Sequence, residues 1–295
     1  MDYSLQQKDE TFELNLISAL KRLALMNSQL KGRVLRINNW VEYVSILDLV
    51  DTITPSNVSL DNIFLPVQKK EFINIFINTL QNYKEGNLRY LFNGQPGTAK
   101  TQIIHSIMNS VGSIATFVIL ENRNIPLNDV FNLCSIFDPC VLVIDDLDLL
   151  IEERNRANSK NELSVFLSNL DGFNYKNLFI LATTNDKKFV DLAAQRPGRF
   201  NLIIDVDEIA SENYLNLIKR ETNDEEIIML FGESRLNELA SRRITGAFIV
   251  NLIKLLKMYK EQNGSISEEK LLEILNFSFN GFYKSNNKEK EIGFY

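Results

Sequence analysis

Long apolar runs are missing from this chain of 295 residues: no stretch approaches 18 uninterrupted apolar residues, so a membrane-spanning helix is not expected. The first ten residues, Met1 to Glu10, hold neither the basic and apolar regions nor the cleavage site of a secretory leader. Cysteine occurs only at Cys134 and Cys140, which gives no zinc-ligand spacing and no disulfide framework and points to a reducing cytoplasm. The only histidine, His105, has no partners for a catalytic triad and reads as a packed or half-exposed helix residue. Positive charge is not in excess: 32 basic against 38 acidic residues give a formal net charge of −6, which argues against nonspecific binding of nucleic acid by the whole surface. A basic pore could still exist locally. No internal repeat or low-complexity block breaks the pattern. Apolar residues are plentiful instead, at 45%, enough for a substantial core.

The most informative stretch is Gly94-Gln95-Pro96-Gly97-Thr98-Ala99-Lys100-Thr101. A triphosphate needs several donors converging on its oxygens, and a glycine-rich turn between a strand and a helix offers backbone N–H groups with no Cβ atoms in the way. The strand is available in Arg89 to Phe92, and the helix in the run from Lys100 through Ile103, Ile104 and Ile107. Lys100 would reach the outer phosphates and the Thr101 hydroxyl would hold a magnesium ion. Ala99 stands where the pattern G-x-x-x-x-G-K-T has its second glycine, so the loop must tolerate one methyl group near the phosphates.

A second signal lies about 45 residues on, in Val141-Leu142-Val143-Ile144-Asp145-Asp146. Four apolar residues fit a strand buried on both faces of a parallel sheet, and a carboxylate at the carboxyl end of such a strand lies where ligands bind in open α/β sheets. Asp145 would hold the metal, directly or through water, and Asp146 would orient the attacking water. Together the two signals imply ATP and Mg2+.

Further along come Leu167-Ser168-Asn169-Leu170-Asp171-Gly172-Phe173, then Leu178 to Asn185, then Arg196-Pro197-Gly198-Arg199-Phe200. Three such motifs in this order resemble the second region of homology of AAA ATPases, the ring-forming branch of the AAA+ superfamily. The resemblance covers roughly residues 60–280 and is strongest over 89–206. It implies that Asn185 senses the γ-phosphate and helps position water, and that Arg196 and Arg199 enter the neighbouring subunit's site as arginine fingers. A guanidinium presented to the developing charge of phosphoryl transfer stabilises the transition state. By the same resemblance the assembly is a ring, with a hexamer expected, acting on an unidentified protein client.

Departures from the family pattern carry their own expectations. The usual residue after the metal-binding aspartate is glutamate, and Asp146 is one methylene shorter, which implies slow or regulated hydrolysis with binding intact. After the expected strand Ala115–Leu120 comes Glu121-Asn122-Arg123-Asn124-Ile125-Pro126-Leu127-Asn128, with neither the aromatic nor the glycine of a threading pore loop. Near the end, Ile244-Thr245-Gly246-Ala247 resembles the start of the AAA lid helix, with Arg242 and Arg243 close by.

The fold class expected is α/β, a parallel-sheet P-loop ATPase domain followed by a small helical lid domain. Its organisation is an N-terminal segment at 1–55, the large α/β domain at 56–206, the lid at 207–282 and a flexible tail at 283–295. In the first segment, Phe12, Leu16, Leu20, Leu23 and Leu30 share one helical face, which either packs on its own domain or docks a partner. Val34–Ile37 reads as a short strand, residues 40–50 as an apolar segment and 67–83 as a helix. Lid helices are expected near 210–220, 234–241, 245–260 and 267–277, and the terminal Phe294-Tyr295 reads as a frayed end. The function these features imply is an ATPase that remodels a protein or protein–nucleic-acid assembly. A loader-type ATPase of DNA replication or recombination and a slow nucleotide-gated scaffold are the alternatives.

Overall fold

A computed structural model of the chain describes residues 28–37, 50–82, 86–121, 125–149, 170, 178–186, 199–206, 209 and 211–281. The expected Phe12 to Leu30 helix lies almost wholly outside the described residues. So do the apolar segment up to residue 49, the pore-loop positions 122–124, Arg196, most of Leu167 to Phe173, and the tail. The chain divides into two compact units, one of Met1–Gly94 and Lys100–Val206 and one of Gln95–Ala99 and Asp207–Tyr295.

The first unit is built on one seven-stranded sheet. Its strands are β1 (Val34–Ile37), β2 (Val50–Ile53), β3 (Arg89–Asn93), β4 (Thr116–Leu120), β5 (Cys140–Ile144), β6 (Leu178–Thr184) and β7 (Leu202–Asp205), in the order β2-β1-β4-β5-β6-β3-β7. Every pairing is parallel except β1 with β2. The residues expected as a separate N-terminal segment therefore contribute two strands to the same sheet as the nucleotide loop, β1 running parallel to β4 with Val34 opposite Phe117.

Why these segments form strands is visible in their side chains. β3, β4, β5 and β6 are buried at every residue, as strands covered on both faces must be, with Arg89 and Asn93 the polar ends of β3. Alternate residues serve opposite layers. Leu91, Val118, Leu120, Leu142, Ile144 and Ile180 join a core completed by Val130, Phe131 and Leu133 of helix α3 (Leu127–Cys134). On the other face Phe76 of α1 (Val67–Gln81) meets the Tyr90 ring at 5.0 Å and the Phe179 ring at 5.6 Å. Helix α2 (Lys100–Val111) buries Ile103, Ile104, Ile107, Met108 and Val111. Both cysteines are free, buried thiols.

The second unit is helical: α4 (Ser211–Glu221), α5 (Glu225–Met229), α6 (Glu233–Ser241), α7 (Gly246–Asn263) and α8 (Glu268–Phe279). The Tyr214 hydroxyl donates to Ile244 O at 2.7 Å, tying α4 to the turn before α7. Arg242 pairs with Glu238 at 2.6 Å and lies 5.0 Å from the Phe279 ring, so its guanidinium is used inside this unit. The short α5 has no counterpart in the sequence reading, because five residues are too few to show a period. Its signal was chemical: Asp224 caps it, accepting from the N–H groups of Glu226 and Ile227, with Glu225 and Glu226 in the first turn.

Candidate active site

The phosphate loop begins where β3 ends and closes at the first residues of α2. Helix α2 has twelve residues, and the positive end of its aligned dipoles lies at its start, Lys100, the kind of helix terminus that favours an anion. Gly97 has φ +84°, the left-handed region that favours glycine, and a Cβ there would also crowd Thr245 Oγ1 at 3.0 Å. Thr98 turns back on the loop, its hydroxyl donating to Gln95 O at 2.9 Å.

Ala99 also sits in the left-handed region, at φ +76°. The methyl that the sequence places at the second glycine position is thus held in a conformation costing an L-residue about 1–2 kcal/mol. Glycine removes that strain but adds about 0.4–1 kcal/mol of unfolded-chain entropy. Ala99→Gly is therefore expected to stabilise the chain by about 0.5–1 kcal/mol, read as a raised denaturation midpoint with ATP affinity unchanged. A lowered midpoint would show that the surroundings already absorb the strain.

Lys100 and Thr101, which follow the loop in the first unit, meet the carboxyl ends of β5 and β6, whose side chains form one connected network. Thr101 Oγ1 donates to Asp145 Oδ2 at 2.9 Å, while Asp145 Oδ1 accepts a short hydrogen bond from Thr183 Oγ1. The same Thr183 oxygen accepts from the Asp146 N–H at 2.9 Å, holding Asp146 at φ +51°, a region that aspartate tolerates better than most residues. Asn185 bridges the two halves: its Nδ2 donates to Asp146 Oδ1 at 2.8 Å and its Oδ1 accepts from Lys100 Nζ at 2.7 Å. Lys100 also donates to Gly94 O at 2.7 Å. Behind Asn185, Asp148 Oδ1 accepts from Thr184 Oγ1 at 2.9 Å and from the Asn185 N–H at 3.2 Å.

Electrostatics follow from this crowding. Burial pushes the Lys100 ammonium below its ordinary range, and Asp146, Asp145 and Asp148 pull it back up. Burial raises the Asp146 carboxyl, reinforced by Asp145 and Asp148 and opposed by the Asn185 hydrogen bond and Lys100. His105 stands one turn beyond Thr101; its Nδ1 accepts from the Ser56 N–H at 3.0 Å, and burial lowers its pKa.

A cavity of about 360 Å³ opens beside the acids, lined by Thr101, His105, Ile119, Glu121, Asp145 and Asp146, with Ile53 of β2 as part of the wall. The residues fit magnesium. A hydroxyl and one carboxylate at the loop, with further carboxylates nearby, are the hard oxygen donors from which Mg2+ takes one or two while keeping waters and substrate phosphates.

Of the residues the sequence singled out, Gly94, Lys100, Thr101, Asp145, Asp146 and Asn185 converge here, while Gln95 to Ala99 fall in the other compact unit. Arg199 does not. The Asn201 N–H donates to Arg89 O at 2.9 Å, at the amino end of β3. That end lies about 16 Å by strand rise from the loop of the same chain, beyond the reach of an arginine side chain. Arg199 is 9% exposed. Thr183, Thr184, Asp148 and Ile53 were not read from the sequence as site residues. Thr183 and Thr184 directly precede Asn185 and Asp148 stands two residues after Asp146, and that proximity was the available signal.

Comparison with known proteins reaches the same place. Residues 90–208 match the model of the ATPase family associated with various cellular activities (AAA). The chain is 31% identical over 151 residues to an ATP-dependent zinc metalloprotease FtsH of Lancefieldella parvula, covering 45% of this chain and 23% of that protein. A proteasome-activating nucleotidase 2 of Haloferax volcanii is 28% identical over 151 residues, 45% of this chain and 36% of its own length. An FtsH of Rhodothermus marinus is 30% identical over 178 residues, 54% of this chain and 25% of its own. The chain thus spans about a quarter to a third of these relatives. With a parallel sheet, a glycine-containing turn after β3 and paired acids after β5, residues 90–208 form a domain similar to those of the ATPase family associated with various cellular activities (AAA).

Proposed function

We propose that the chain binds MgATP at this site, hydrolyses it in a ring of identical subunits, hexameric by family resemblance, and uses the cycle to remodel a protein assembly. The observation that supports the reading is the continuous path Lys100–Asn185–Asp146 beside Thr101–Asp145, which gathers a lysine, an amide, a hydroxyl and two carboxylates at the carboxyl ends of β5 and β6. Lys100 and the loop N–H groups would bind the phosphates, Thr101 and Asp145 would hold magnesium, and the ion would neutralise charge between phosphate oxygens. Asp146 would accept a proton from the attacking water, which Asn185 orients by holding the carboxylate. Arg199, remote from its own loop, would serve a neighbour's, its side chain swinging outward on assembly, with Arg196 as the second finger. A cytoplasmic location is in keeping with two buried free thiols.

The slow nucleotide-gated scaffold is the second reading, and Asp146 favours it. The loader-type alternative has less support, given the net charge of −6. Phosphate release from MgATP tests the proposal. Asp146→Asn is expected to lower turnover by about 10²- to 10⁴-fold while ATP still binds, and the same variant would hold a client on the ATP-bound ring for capture. Asp146→Glu restores the longer side chain and is expected to raise turnover; a fall would mean that the site is fitted to aspartate, and the scaffold reading would lose that support.

A further inference from the structure

The third carboxylate of the β5 end, Asp148, acts on the Lys100 ammonium through its charge and is held by two hydrogen-bond donors at once. Thr184 Oγ1 and the Asn185 backbone N–H both reach its Oδ1, at 2.9 and 3.2 Å. Thr184 Oγ1 in turn accepts from the Asp186 N–H at 3.1 Å, so the turn that leaves β6 is knotted onto this one oxygen. Hydrogen bonds to an ionised acceptor are the strong ones. The turn carries Asn185, whose side chain has only one way to span Lys100 and Asp146 together: its oxygen toward the ammonium and its nitrogen toward the carboxylate.

The contacts between the two strand ends are reciprocal. Thr183 of β6 fixes Asp145 and the Asp146 backbone, and Asp148 after β5 fixes Thr184 and the Asn185 backbone. Each strand end is positioned by the other. From this we propose that Asp148 is a positioning residue for hydrolysis: it sets the height and rotation of Asn185 and, through it, of the Asp146 carboxylate, without taking part in nucleotide binding. The proposal rests on the hydrolytic reading above. A misplacement of about 1 Å in a group that orients the reacting water costs on the order of 10²-fold in rate. Nucleotide affinity, supplied on this reading by the loop, Lys100 and Thr101, feels Asp148 only through its charge, whose removal does not weaken the binding of an anion.

The test is the division of effect between kcat and ATP affinity, measured by phosphate release and by calorimetric titration of ATP. Asp148→Ala removes the acceptor and is expected to lower kcat by about 10²-fold with ATP affinity within about threefold of the parental chain. Asp148→Asn keeps an oxygen at the same place and is expected to recover most of that loss, which a role resting on charge alone would not permit. Thr184→Val, which deletes one of the two donors and leaves the carboxylate in place, is expected to fall between them and serves if Asp148→Ala does not fold. Parental kcat in both Asp148→Ala and Thr184→Val overturns the proposal, as does a fall in ATP affinity as large as the fall in kcat. A parental chain that binds ATP and releases no phosphate overturns the hydrolytic reading itself, and this proposal with it, before any variant is compared.

Discussion

Lys100→Ala is expected to weaken ATP binding by at least about 100-fold, to the point where a titration at micromolar chain gives no measurable heat. The reason is the position of the ammonium. It is nearly buried, 7% exposed, with Gly94 O and Asn185 Oδ1 at 2.7 Å, and Asp145, Asp146 and Asp148 act on its charge. Truncating one member of a desolvated charge pair costs about 2–5 kcal/mol. At about 1.4 kcal/mol per tenfold, that is roughly 30- to several-thousand-fold in affinity. A triphosphate approaching the variant would meet three carboxylates with their main nearby cation removed, so the upper part of that range is expected. A melting curve on the same sample separates this result from unfolding. Unchanged ATP affinity in a folded Lys100→Ala chain would remove the phosphate-loop assignment.

How much of this site could be read from the sequence depends on whether the information was local. The loop from Gly94 to Thr101 and the acids Asp145 and Asp146 are contiguous stretches whose residue types the chemistry dictates, and the structure brings them together through Thr101 and Asp145 at 2.9 Å. Strands β3 to β6 were legible because burial on both faces makes them continuous apolar runs. What escaped was non-local. That Val34–Ile37 extends the sheet beside β4, and that Ile53 therefore walls the cavity, depends on a pairing across about 80 residues that no periodicity encodes. The bracket of Thr183 and Asp148 escaped for a related reason: a threonine before an asparagine and an aspartate after two others look like ordinary strand-end polarity until the strands are adjacent. The strain at Ala99 was visible only as a mismatch with the glycine pattern, and its cause, φ +76°, is a property of the folded backbone.

Arg199→Ala is expected to leave ATP binding intact and to reduce hydrolysis by about 10³-fold or more, the magnitude that a guanidinium at the transferring phosphoryl group contributes. The argument is positional. Arg199 lies before the amino end of β7, while Lys100, Asp145 and Asn185 lie at the carboxyl ends of the strands, which supports the proposal that it acts in another subunit's site. Lys100→Ala, by contrast, loses binding and hydrolysis together. On the proposed reading the two variants are expected to fail for different reasons, in different halves of one composite site.

Mixing them is the most direct test of a nucleotide site shared between two chains. Each variant alone is expected to show little or no hydrolysis, but on the proposed reading an interface that joins the loop of an Arg199→Ala chain to the finger of a Lys100→Ala chain has every part. Phosphate release from the mixture, at concentrations where sedimentation shows co-assembly, is expected to rise well above the sum of the two variants measured separately and to peak near equal proportions. An Arg199→Ala chain that hydrolyses ATP at the parental rate, or a co-assembled mixture that stays as inactive as its components at every ratio, would contradict it.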